Sequence, residues 1–162
     1  MRKSWTVAAI LVVSLAACTR PSKPPTIHDP SKIQDIEVIH WSKEGGRGPL
    51  EEYTIEDRKR IEAIVALLRS NNTGYRKDTE LAHWNPVRGK DREEYTLHFQ
   101  ESPDNPSLLS VSFGPDWLSC IDDEEDDSGD TFFRTRPLSS SEREELVALI
   151  ARHPEDRGRW GG

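Results

Sequence analysis

Apolar residues recur along this chain at two spacings, and those spacings mark its elements. Tyr95, Leu97 and Phe99 alternate with Thr96, His98 and Gln100, and Leu109, Val111 and Phe113 alternate with Ser110 and Ser112. A period of two sends one side of each segment into a core and the other side outward, which predicts two strands. Residues 102–106 turn between them, so the pair reads as a hairpin. Gly114-Pro115-Asp116 turns the chain again into a strand over 117–121, and 131–135 supplies another. Upstream, residues 36–41 are rich in β-branched and aromatic side chains and run into Gly45, Gly46, Gly48 and Pro49, which predicts the first strand.

Ile61, Ile64, Val65 and Leu68 recur instead at the spacing of one helical face, with Arg58, Lys59, Glu62 and Arg69 left for water. Thr54-Ile55-Glu56-Asp57 places a capping hydroxyl three residues before a carboxylate, and Asn71, Asn72 and Gly74 suit the left-handed conformation that ends a helix. A second stripe, Leu146, Leu149 and Ile150, is entered through Ser139-Ser140-Ser141-Glu142 and stops before Pro154. Residues 75–92 are the least regular stretch. The expected fold is therefore α+β, a curved antiparallel sheet of about five strands with two helices packed on one face, in β-α-β(4)-α order. That element order resembles the TATA-binding-protein-like architecture. The resemblance covers order alone and implies no binding of nucleic acid.

The N-terminus follows another pattern. Arg2 and Lys3 precede an apolar run from Val7 to Ala17 that only Ser14 interrupts. Eleven helical residues span roughly 16 Å, about half of a hydrocarbon core, so the run reads as a secretory signal rather than a permanent span. Its end, Leu15-Ala16-Ala17-Cys18, resembles the lipobox of bacterial lipoproteins. The resemblance implies cleavage before Cys18 and lipid on its thiol. With Thr19 next, it also implies an outer-membrane anchor facing the periplasm in a Gram-negative host. Prolines 21, 24, 25 and 30 then rule out regular structure up to residue 32, and polyproline-like extension would reach roughly 43 Å. The expected organisation is a signal peptide at 1–17, a lipidated cysteine and tether at 18–32, one domain at 33–153 and a flexible tail at 154–162.

Loss of Arg2 and Lys3 with the signal takes the formal charge from −7 to about −9. Such an excess repels nucleic acid and anionic headgroups, so neither is an expected partner. Lipid on Cys18 leaves Cys120 as the second of two cysteines, without an intramolecular partner. Its place in the apolar run Trp117-Leu118-Ser119-Cys120-Ile121 predicts burial.

Asp122, Asp123, Glu124, Glu125, Asp126 and Asp127, with Asp130 after Gly129, form the densest chemistry in the chain. A calcium loop with Gly129 at its sixth position begins at Glu124 and puts Thr135 where a bidentate glutamate is required, so that pattern fails. A solvated hairpin tip that draws basic partners is the expectation. Trp84, in the polar, proline-bounded segment Leu81-Ala82-His83-Trp84-Asn85-Pro86, is a candidate contact residue, while Trp41 and Trp117 are assigned to the core from their strand-like runs. His40 and His98 each lie in a strand and could meet across a sheet. No Gly-x-Ser-x-Gly, His-Glu-x-x-His, Cys-x-x-Cys or phosphate-binding loop occurs, so an enzyme would have to rely on carboxylates such as Glu93 and Glu94 placed by the fold. No cofactor is expected. The sequence thus points to a membrane-anchored envelope lipoprotein that binds a protein partner, in an assembly, immunity or inhibitor role. A divalent-ion or ligand module using the acidic loop is the alternative, and a small cell-wall hydrolase ranks below it.

Overall fold

The computed structural model describes residues 26, 27, 29–41, 49–78, 93–101, 109–122 and 133–158. Among them are eight strands and two α-helices: β1 Asp35–Trp41, β2 Glu51–Ile55, α1 Arg58–Ser70, β3 Arg76–Asp78, β4 Glu94–Gln100, β5 Leu109–Phe113, β6 Trp117–Asp122, β7 Phe133–Pro137, α2 Ser140–Ile150 and β8 Arg157–Gly158. The strands form one antiparallel sheet in the order β3-β7-β6-β5-β4-β1-β2-β8.

The expected β-α-β(4)-α order, with about five strands, two helices on one face and a TATA-binding-protein-like architecture, is overturned. The observed order is β-β-α followed by five strands, then α-β, and the domain is mostly sheet. Three strands escaped the apolar pattern for a physical reason. β3 is Arg-Lys-Asp and β8 is Arg-Gly, and both are outermost strands that form through backbone pairing with β7 and β2. β2 does alternate, with Tyr53 and Ile55 buried, but its end overlaps the stretch read as a helix start. The helix begins later, and Asp57 rather than Thr54 caps it, accepting from Arg60 N at 2.9 Å.

Register decides which side chains share a face. Ile36 lies between Ile55 and Phe99, Val38 between Tyr53 and Leu97, and Leu97 opposite Val111, which faces Cys120. These residues join Ile61, Ile64, Val65 and Leu68 of α1 and Leu146 and Ile150 of α2 in one core. Burying each such side chain is worth about 1.5–3 kcal/mol as an upper figure, so the shared face outweighs any single polar contact. Cys120 is buried in it, 3.7 Å from the Tyr75 hydroxyl. Ser139 caps α2 by accepting from Glu142 N at 3.2 Å. Gly74, at φ +77°, takes the left-handed conformation after α1, whereas Asn71 caps the helix at φ −109°.

Polar side chains seal both ends of α2. Arg136 of β7 bonds the buried Glu142 with two N–H groups, Nη1 reaching Oε2 at 2.9 Å, and its guanidinium lies 5.6 Å from the Tyr75 ring centroid. At the other end α2 has no basic residue in its last turn, and Arg60 of α1 supplies the charge. Arg60 donates to Leu149 O at 3.1 Å, to Ala151 O at 2.7 Å and to both oxygens of Asp156 at 2.8 and 2.9 Å. The Tyr53 hydroxyl donates to Ile150 O. Residues 154–158, assigned by sequence to the tail, thus hold a buried aspartate and β8, while 159–162 lie outside the described residues.

Candidate functional site

Two groupings of side chains have chemistry beyond packing. The first is the second face of the sheet. Because Ile36 and Val38 fill the core, the alternation places Glu37, Ile39 and Trp41 on the opposite side, and likewise Trp117, Ser119 and Ile121 opposite Leu118 and Cys120. Trp41 and Trp117 are therefore not core residues, as their strand-like runs had implied: both are half-buried on the second face. Beside them, in register with Ile39, runs a row of hydroxyls across four strands, Thr96, Ser112, Ser119 and Thr135. Thr96 and Ser112 are bonded at 3.1 Å, and Thr135 donates to Ser119 at 3.2 Å. Cross-strand hydroxyl pairs satisfy one another, so this row is polar without needing water. Gly114 has room for no side chain, since a Cβ there would meet Trp117 Nε1 at 2.5 Å. The Trp117 ring folds over that glycine and lies along the face.

His98 also belongs to this face, 2.8 Å from the Ser110 hydroxyl. Burial pushes its imidazole pKa down, against the opposing charge of Glu52. His40 lies on the core side, in register with Tyr95, whereas His98 is in register with Glu37. The two histidines that sequence allowed to meet are therefore on opposite faces.

The second grouping centres on Glu93, just ahead of β4. Its Oε1 lies 3.2 Å from His40 Nε2 and accepts from the Tyr95 hydroxyl at 3.0 Å, and its Oε2 accepts from Arg143 of α2 at 3.1 Å. His40 and Tyr95 stack with centroids 4.3 Å apart and planes 8° from parallel, and Tyr95 stacks in turn on Phe113 at 5.2 Å. Burial raises the Glu93 pKa, but hydrogen bonds from Tyr95 and Arg143 and the charges of His40 and Arg143 outweigh it, so the carboxyl sits below its ordinary range. Burial and the bond to Glu93 push Tyr95 up to about 12, so its phenol stays protonated.

A histidine oriented by a carboxylate is two parts of a nucleophile-activating array. The third part is not supplied: among the described residues no serine, threonine or cysteine bonds to His40, and the Tyr95 proton is committed to Glu93. The arrangement fastens α2 to β1 and β4. Sequence reasoning named both Glu93 and His40 without connecting them. The missing information was the register, which puts the end of β1 beside the start of β4.

Asp122 ends β6 opposite Leu109. Cys18, Trp84, Asp123, Glu124, Glu125, Asp126 and Asp127 lie outside the described residues. Among the described residues no cluster of three or more metal-ligating side chains occurs, and no helix is long and apolar enough to cross a membrane. No protein-family model matches this chain, and neither curated proteins nor solved structures give a match.

Proposed function

We propose that this chain is a lipid-anchored envelope protein without catalysis of its own, whose acidic domain binds a protein partner through the second face of its sheet. One observation carries the reading. Trp41 and Trp117, with Ile39 and Ile121, are half-exposed on a face that also carries Glu37, His98 and a row of self-bonded hydroxyls. Tryptophans on a flat surface are strong anchors for a partner, because each buries a large apolar area at little cost in side-chain freedom. The lipobox at Cys18 supports an envelope location, and the charge of about −9 after signal removal favours a basic partner over nucleic acid.

A photoreactive side chain in place of Ile39, in the full-length protein within the cell that makes it, tests the proposal. The same replacement at exposed Glu62 of α1 is the control. Capture of one discrete protein from position 39 but not from 62, weakened by Trp117→Ala, is the expected result. Capture from neither position, or the same products from both, would remove the second face as the binding surface.

A further inference from the structure

The chain enters its domain along α1. Ile27 packs against the core, and its carbonyl accepts from Arg69 Nη2 at 3.1 Å. Asp29 caps a 3₁₀ turn at Pro30–Lys32, its carboxylate accepting from Ser31 N at 2.8 Å and its carbonyl from Lys32 N at 2.9 Å. Arg58 then donates to Ile33 O at 2.6 Å and to Pro30 O. Arg69 lies in the last turn of α1 and Arg58 opens it, so Ile27 and residues 29–33 are laid antiparallel to the helix before the chain turns into β1. The two arginines are roughly 17 Å apart along the helix axis.

We infer that Ile27 and residues 29–33 form a strap fastened to the domain, so that the lipid anchor holds the C-terminal end of α1 toward the bilayer. The inference rests on the reading of Cys18 as the lipidated residue. Between Cys18 and Thr26 the chain can span at most about 29 Å, against about 50 Å at the same extension if the whole stretch from Cys18 to Lys32 were a free spacer. The exit point beside Arg69 cannot rise farther than that from the headgroups. The start of α1 lies about a helix length, roughly 20 Å, from that exit point. Three arginine-to-carbonyl bonds and the Ile27 contact set this polarity, and all of them belong to side chains at the surface of α1 or to the strap itself.

Nitroxide labels at Thr73, just past α1, and at Lys59, in its first turn, test the orientation in the full-length lipidated protein. Both positions are exposed, and Cys120 is buried away from the labelling reagent. The protein is placed in phosphatidylethanolamine and phosphatidylglycerol vesicles that carry a nickel-chelating lipid. Stronger relaxation at Thr73 than at Lys59 is expected, and the difference should shrink when Arg58→Gln and Arg69→Gln release the strap. Equal relaxation at the two sites, or stronger relaxation at Lys59, overturns the orientation. Protein that does not float with vesicles, and whose mass shows no lipid on Cys18, defeats the anchoring reading instead. The strap is then judged on the unlipidated full chain: protease resistance across 27–33 that Arg58→Gln with Arg69→Gln abolishes supports it, and cleavage there in the parent chain overturns it.

Discussion

Asp156 and Asp35 are each 7 % exposed, and their surroundings are opposite. Asp156 accepts twice from Arg60 and once, at 2.7 Å, from His153 N, and it ties the segment after α2 to α1. Asp35 begins β1 with its Oδ1 unbonded among the described residues, one register step past the Ile36–Ile55 pair and so facing Glu56. Burial and then Glu56 push its pKa up, with Arg157 opposing. Equal burial therefore means opposite things: a carboxylate out of water stabilises only through the donors that meet it. Glu93 stands between the two, with three donors but a side chain 39 % exposed.

The largest effect should come from breaking the sealed pair. Asp156→Ala leaves the Arg60 guanidinium, 11 % exposed, without its carboxylate and should cost about 3–5 kcal/mol. Urea unfolding checks this, and a loss under about 1 kcal/mol would mean that Asp156 is no better placed than a surface charge. Glu93→Gln should cost about 1 kcal/mol, since water already screens the site. This cost should also depend on pH. Because the folded value of Glu93 is lowered, its contribution is complete above the unfolded value near 4.3 and disappears as pH falls through the folded one. The gap between Glu93→Gln and the parent should narrow as pH falls from 7 to 3, and a gap constant over that range would show that Glu93 acts without its charge.

The smallest effect carries the opposite sign. The folded value of Asp35 is raised, so the folded state holds that proton more tightly than the unfolded chain, and stability rises as pH falls through the raised value. Asp35→Asn should therefore stabilise by about half a kcal/mol at pH 7 and by nothing near pH 3. Melting curves at the two pH values decide it. A destabilised Asp35→Asn at pH 7 would assign Asp35 a cationic partner and erase the contrast with Asp156.

Enrichment in β-branched and aromatic residues located β1, the turn at 114–116 located β6, the stripe located both helices, and the apolar alternation located β4 and β5, because those signals need only neighbouring residues to agree. It also carried the phase that sets Trp41 and Trp117 against the core. That phase follows from Val38 and Leu118, and a strand-like run read without it puts both rings on the wrong face. β3 and β8 are silent in sequence, since an outermost strand can form on backbone bonds alone and needs no apolar side of its own.

What the sequence by itself determined is where the chain turns, which residues want a core and, through the resemblance of residues 15–18 to a lipobox, the expectation of a membrane anchor. Only the tertiary structure decided which polar groups meet. Glu93 finds His40 fifty-three residues away and Arg143 fifty away, and Arg60 finds Asp156 ninety-six residues away. Such partners are chosen by strand register and helix placement. A local pattern holds no information about register between distant segments, because that register is set by the joint burial of one apolar face and by no single residue along the way.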